Sequence, residues 1–375
     1  MRKTAIVVGA GIVGLATARA LALRKYDVRV IERNAIAIGA SIRNFGMIWP
    51  IGQPDGELYE RALLSASIWK KICHEADIWY EEAGSLHVAY NLHEWKVLDE
   101  LKDVYKHRQY QLLSADKVRK YSPVIVKEDL LGGLYSPQEI IVDPREAIRT
   151  IPGYLQQKYG VEFSWGKAVT EINYPSVFTA DEEYQADEIY VCSGADFETL
   201  YPTFYSAIPV TKCKLQMMRM AVQTGNRIGP AICGGLSLVH YKSFAAADSL
   251  PVLKDYFEKE CPDYLKWGIH VMVSQNQAGE LTIGDSHEYG LVHDPFDKQF
   301  INDMILGYLK KFARFKNESI IETWNGTYPK LTNGDTDLVL QPEEGVTIIN
   351  CLGGAGMTLS FGLCEQLIGK LREVA

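Results

Sequence analysis

An α/β fold is expected from three stretches of this 375-residue sequence. The first, AIVVGAGIVGLATARALALRKYDVRVIER at 5–33, reads as strand, glycine turn, helix and second strand. The second, ADEIYVCSGA at 186–195, reads as a strand followed by Gly194. The third, INCLGGAGMTLSFGLCEQLIGKL at 349–371, reads as the end of a strand, a glycine loop and a helix. Short apolar strands that feed helices through tight turns are the building units of a parallel sheet.

In the first stretch, Ala5 to Val8 form the buried strand, and Gly9, Gly11 and Gly14 follow with G-x-G-x-x-G spacing. Gly9 permits the tight turn, Gly11 lets a pyrophosphate approach the backbone, and Gly14 lets the helix pack close on the strand. Ile12 opens a helix whose free N–H groups and positive dipole end face the phosphates. Val28, Val30 and Ile31 form the second strand, which ends at Glu32, 18 residues after Gly14. A carboxylate there accepts hydrogen bonds from a ribose diol, and Arg33 follows it. This is a Rossmann-like unit. Arg24-Lys25-Tyr26 replaces the glycine usual at the helix-to-strand turn, so Lys25 or Tyr26 is expected in the left-handed region. Arg2 and Lys3 before an apolar run could open a signal peptide, but the spaced glycines speak for the turn.

The third stretch repeats the theme. Gly353, Gly354 and Gly356 form the loop, and Thr358 onward reads as a helix with Leu359, Leu363, Leu367 and Leu371 on one face. A second helix N-terminus thus points at something anionic or electron-rich.

Composition narrows the function classes. A net charge of −8 argues against a phosphate-backbone partner, and no basic run suggests an anionic membrane surface. Beyond the N-terminal run, no stretch is long and apolar enough to span a bilayer. The seven cysteines are scattered and lack C-x-x-C spacing, so free thiols in a cytoplasmic protein are expected, with no metal site.

The run SIRNFGMIWPIGQP at 41–54 sets Arg43 among Phe45, Met47, Ile48 and Trp49. An arginine in so apolar a segment needs a partner.

Taken together, the fingerprint with Glu32, GLYSPQEIIVDP at 133–144, ADEIYVCSGA, LTIGDSHEYG at 281–290, WNGTYPKLTNGD at 324–335 and GGAGMTLS at 353–360 resemble the D-amino-acid oxidase, glycine oxidase and sarcosine oxidase superfamily of FAD-dependent amine oxidoreductases. The resemblance covers the whole chain. It implies a Rossmann-like FAD-binding domain (1–84, 136–205 and 323–375) interrupted by a substrate domain with a larger mixed β-sheet (85–135 and 206–322). It implies FAD contacts from Gly9, Gly11, Ile12, Gly14, Glu32, Arg33, Ser41, Arg43, Asn44, Gly46, Met47, Val169, Gly194, Gly353, Gly354, Gly356, Met357 and Thr358. In that setting Arg43 meets a phosphate or the flavin edge, and Gly46 lets the backbone touch the ring. The 41–54 segment differs from that of glycine or sarcosine oxidase and looks like a clade linked to phosphonate breakdown.

The amino-acid oxidases carry an arginine in a G-[LV]-R-P element that forks onto the substrate carboxylate. Here the element reads NGTYPK, and Tyr328 stands where the arginine would be. The alternating VTKCKLQ at 210–216 puts Lys212 and Lys214 on one face, and GGLSLVHYKSF at 234–244 reads as a strand bearing His240, Tyr241 and Lys242. With His287, Arg43, Met47 and Trp49 these make up an expected anion-holding substrate pocket; singly, each lysine or histidine reads more plainly as a solvated or satisfied side chain. The catalytic candidates are Tyr328, His287 and His240. Ser237 aligns with the lysine that sarcosine oxidases hold over the flavin. Thr323-Trp324-Asn325 replaces the cysteine that attaches their FAD, so non-covalent FAD is expected. The implied reaction transfers hydride from the carbon beside a small amine to flavin N5, with oxygen or another acceptor taking the electrons. An aminophosphonate is the expected substrate; the alternatives are glycine, sarcosine or a D-amino acid, or a dehydrogenase using another acceptor.

Overall fold

The computed structural model describes residues 2–370. Leu371, expected on the apolar face of the last helix, lies outside the described residues.

Thr4–Val8 and Asp27–Glu32 pair in parallel, joined by the helix Ile12–Leu23. Both strands are buried over their apolar residues, as expected for a sheet covered on both faces. Glu162–Trp165 adds to one side, Glu188–Val191 and Val346–Asn350 to the other, all in parallel. Leu338–Glu343 closes the sheet as an antiparallel edge strand, giving six strands. Lys25 carries the left-handed conformation at the helix-to-strand turn, φ 65°. The last helix, Gly356–Lys370, packs against Ile12–Leu23 and against Glu57–Ala76. Trp69 of Glu57–Ala76 donates its indole N–H to the Met357 carbonyl at 2.8 Å and meets Phe361 edge-on.

The second sheet has nine strands. Its parallel pair, Ala231–Cys233 with Ser85–Ala89, makes it mixed. Its long spine is Val210–Met220 against Ile320–Leu331, antiparallel over nearly their whole lengths. The expected boundary after residue 322 therefore falls inside a strand, nearly all of which pairs within the larger sheet.

The segment 234–244 is not the strand its pattern predicts. The strand Ala231–Cys233 stops at Gly234, and two short 3₁₀ turns follow, Gly235–Val239 and Lys242–Ala246. The fold-back is held by Ser237 N donating to the Gly234 carbonyl and Leu236 N to the Tyr308 hydroxyl, both at 3.0 Å, and the glycine at 235 lets the Glu94 carboxylate pack against it. A strand would alternate His240, Tyr241 and Lys242 between two faces; the turn presents all three to one cavity.

Glu139 ties the 41–54 segment to the larger sheet. It is fully buried and accepts from Ile51 N at 3.0 Å and from the Ser85 hydroxyl at 2.9 Å. Burial pushes its carboxyl from 4.5 up to about 7, against the hydrogen bonds that favour the anion. The folded state thus holds this proton more tightly than the unfolded chain. Its stabilising effect is complete below pH 4.5 and is lost as pH rises through about 7. Wild type is expected to lose on the order of 3 kcal/mol more than Glu139→Gln between pH 4.5 and 8. Denaturation midpoints at both pH values measure this, and parallel pH profiles for the two proteins would refute it.

Candidate functional site

A cavity of about 840 Å³ runs between the two sheets, within the range that holds a cofactor or drug-sized ligand. At one end lies the glycine turn. Gly9 has φ +102°, and Gly11 caps the helix Ile12–Leu23 in an extended conformation with no side-chain cap. Gly9, Gly11 and Ile12 line the wall. Gly14 does not; it sits beneath, with the Gly9 carbonyl where a Cβ would be. The Ser41 hydroxyl accepts from Ile12 N at 2.9 Å, so one helix N–H is already met. Glu32 accepts from Ala10 N at 2.9 Å with one oxygen and from Asn34 N at 3.0 Å with the other, while lining the wall. Arg33 lines it too and pairs with Asp196 at 2.6 Å. Val169, Gly194, Gly353, Gly354, Gly356, Met357 and Thr358 complete this half.

The 41–54 segment forms the cavity's flank, where Ser41, Arg43, Asn44, Met47 and Trp49 all line it. Arg43 meets no anion among the described residues. Its Nε donates to the Ile38 carbonyl at 2.9 Å and its Nη1 to the Asn325 carbonyl at 3.0 Å, so the guanidinium joins the loop after Asp27–Glu32 to the strand Ile320–Leu331. Gly46 does not reach the wall. It has φ +72°, and a Cβ there would strike the Val142 carbonyl, so the glycine serves that backbone approach. Trp49 N donates to the Thr358 hydroxyl at 2.9 Å, while the buried indole N–H has no partner.

The far end is polar. His240, Tyr241, Lys242, His270, Asp285, His287, Tyr328 and Lys330 line it. His270 and Asp285 stand opposite each other through backbone hydrogen bonds, Asp285 N to His270 O at 2.9 Å and His270 N to Asp285 O at 3.3 Å. His287 Nδ1 lies 2.8 Å from the Gly268 carbonyl. Burial holds the His270 and His287 imidazoles neutral, His287 down to about 4, and pushes the Asp285 carboxyl well up. His240 opens on the cavity but lies deep in the molecule, and that depth, His287 and Lys330 hold it well down. Tyr328 is nearly fully buried and meets His287 edge-on at 6.5 Å. The Lys330 ammonium is pushed down by burial, and its Nζ donates to the Tyr289 hydroxyl at 3.2 Å.

Lys212 does not reach this end. It pairs with Glu198 at 2.6 Å, and Lys214 donates to the Asp294 and Phe296 carbonyls at 2.7 and 2.6 Å. Leu215 and Met217 from the opposite face of that strand line the cavity instead. Ser237 is fully buried and absent from the cavity wall. Lys330, His270 and Asp285 were not singled out from the sequence. Two of them carried a signal: Lys330 follows Tyr328 by two positions in a strand, and Asp285 precedes His287 by two in an extended run, spacings that share a face.

The model of the FAD dependent oxidoreductase family matches residues 4–369. A D-amino acid dehydrogenase of Helicobacter pylori is 27% identical over 253 residues, 52% of this chain and 61% of that one. The chain thus spans less than two thirds of that relative's length. Gamma-glutamylputrescine oxidoreductase of Escherichia coli is 24% identical over 97% of this chain and 81% of its own. Among solved structures, glycine oxidase from Bacillus cereus superposes with TM-score 0.77 at 17% identity, covering 100% of this chain and 96% of that one.

FAD, the cofactor of that family, fits the cavity. A glycine turn and two helix N-termini stand at one end, and room for a ring system beside Met47 and Trp49 lies further in. Among the described residues no helix is long and apolar enough to cross a membrane.

Proposed function

The chain belongs to the FAD dependent oxidoreductase family, and on that footing we propose that it oxidises a small amine bearing a second, anionic group of the phosphonate kind. FAD supplies the hydride acceptor for cleavage of the C–H bond beside the amine nitrogen. One observation carries the choice of substrate. The polar end of the cavity offers Lys330, Lys242, Tyr241 and Tyr328 but no arginine, and Arg43 on the flank already gives its Nε and Nη1 to two carbonyls. Spread donors around two ammonium groups suit a tetrahedral anion with three oxygens better than a planar carboxylate, which a guanidinium would clamp. Phe45, Met47, Leu215 and Met217 wall the adjoining stretch from water, and a dry wall keeps the reacting amine neutral with its lone pair available.

Anaerobic bleaching of the flavin tests this reading. Aminophosphonates, N-substituted ones included, are expected to reduce it at least tenfold faster than glycine, sarcosine or D-alanine. Tyr328→Arg is expected to narrow that ratio by restoring the fork. Equal rates for D-alanine and every aminophosphonate in wild type would discard the phosphonate substrate.

A second reading concerns the electron acceptor. The curated relative from Helicobacter pylori is named a dehydrogenase, which favours an acceptor other than oxygen. Hydrogen peroxide formed in step with amine consumption would exclude it.

A further inference from the structure

We propose that His270, His287 and Asp285, closed by His240, form a binding site for one divalent metal ion of the zinc or iron(II) kind in the wall of the cavity. One ligand atom from each of the three histidines lies within 4.8 Å of the other two. In a tetrahedral site with metal–nitrogen bonds of about 2.0–2.1 Å, nitrogens stand roughly 3.4 Å apart, so closure needs shifts of about 1 Å, within reach of side-chain torsions.

The lone pairs are already directed. His287 Nδ1 donates to the Gly268 carbonyl at 2.8 Å, which leaves Nε2 as the bare nitrogen, 3.7 Å from Asp285 Oδ2. A ring fixed in this way by a backbone carbonyl is the usual support of a metal-bound imidazole. His270 Nε2 lies 3.1 Å from Asp285 Oδ1, yet that oxygen makes no aligned hydrogen bond, and His270 Nδ1 has no partner at all. Both residues are at most 5% exposed. Buried polar atoms left unpaired are costly, and a bound cation would satisfy them together.

The frame is rigid where it must be and loose where it can be. Reciprocal backbone hydrogen bonds pin His270 against Asp285, and His287 N donates to the Trp267 carbonyl at 2.8 Å. Two imidazoles and one carboxylate thus stand close together on a fixed backbone, a set that leaves further coordination positions open. His240 stacks on His270 with centroids 3.8 Å apart and opens on the cavity, so its ring has to swing off that stack to bind. The nearest ammonium, Lys330, donates to the Tyr289 hydroxyl. A position left open on the cavity side would take an oxygen of the substrate's anionic group; that last point rests on the function proposed above, whereas the metal site itself does not.

The test uses untagged, FAD-loaded protein treated with EDTA and titrated with Zn²⁺ by calorimetry, with metal content measured by mass spectrometry before treatment. One Zn²⁺ per chain is expected, with affinity at least 100-fold weaker in His270→Ala and Asp285→Asn and about tenfold weaker in His240→Ala. His93→Ala, on the surface, is the matched control. Flavin content and melting temperature report folding; should His270→Ala fail to fold, His240→Ala, which alters a ring open to the cavity, carries the test. Absence of a stoichiometric site, or Zn²⁺ binding that survives these substitutions unchanged, overturns the proposal. Inorganic phosphate binding that depends on His240 and His270 without metal would likewise overturn it, in favour of an anion receptor. Flavin bleaching by amines is read separately, so failure here leaves the amine oxidation untouched, and the reverse.

Discussion

Gly14→Ala is expected to give protein with little or no FAD. A Cβ at this position would lie against the Gly9 carbonyl oxygen and 2.9 Å from its carbonyl carbon. The obstacle is backbone, which cannot rotate aside. Gly9 in turn is fixed by φ +102° and by Cys192, whose carbonyl carbon a Gly9 Cβ would approach to 3.2 Å. The helix Ile12–Leu23 would therefore have to move off its strand, carrying its free N–H groups away from the phosphate end of the cavity. Overpacking of this kind costs about 1–3 kcal/mol and more where nothing yields. Loss of aligned phosphate donors adds to that, so FAD affinity is expected to fall at least 100-fold. Flavin absorbance per chain and titration of the apoprotein with FAD would measure it. Gly153→Ala is the contrast: its Cβ meets nothing within 4 Å inside the helix Pro144–Tyr159, and a gain of about 0.5–1 kcal/mol is expected. Full flavin occupancy in Gly14→Ala would show that the close approach is not needed.

Arg108→Ala is expected to cost about 3–5 kcal/mol, from the hydrogen bonds and the two ring contacts that the guanidinium makes. Arg108 is fully buried. Its Nε donates to Asp55 at 3.0 Å and its Nη1 to the Gln53 carbonyl at 2.9 Å, and the guanidinium lies 3.8 Å from the ring centres of both Tyr59 and Tyr105. It fastens the chain just beyond Trp49, Gly52 and Gln53, all on the cavity wall. Stability and substrate affinity should therefore fall together. Arg108→Lys should rescue little, because a point charge cannot replace a plane held between two rings. Asp55→Asn should cost only about 1 kcal/mol, since Asp55 is half exposed and Arg108 keeps its other partners. Chemical denaturation of the three variants decides it, and equal losses for Asp55→Asn and Arg108→Ala would refute the account.

The dinucleotide end was legible because its constraints are local. Turn, helix start and acidic strand end lie within 5–33, and each demands a particular residue type. The second helix N-terminus at Gly356 was legible for the same reason. The polar end was only half legible. His240, His270 and His287 come from three segments brought together by strand pairing and a fold-back, which no local pattern encodes. The run 234–244 carries strand-like residues, yet a tertiary bond from Leu236 N to the Tyr308 hydroxyl holds it as a turn. Arg43 was rightly read as needing a partner, but its partners are carbonyls from Ile38 and from Asn325, the latter a tertiary contact. Lys212 and Lys214 were placed on a common face, but periodicity does not say which face meets the cavity.

The parallel sheet also sets a timetable for the nascent chain. Ala5 pairs with Glu188, and Ile189 with Val346, so the first strand waits for a neighbour made roughly 180 residues later, and that neighbour waits for one near the end. At about 5–20 residues per second, ribosomal synthesis leaves each central strand without its partner for roughly 10–40 seconds. During that interval the apolar edge of Thr4–Val8 is covered on one side only, by Asp27–Glu32. Chaperone demand in the cell should therefore extend through most of translation, before either cofactor or substrate has a complete cavity to enter.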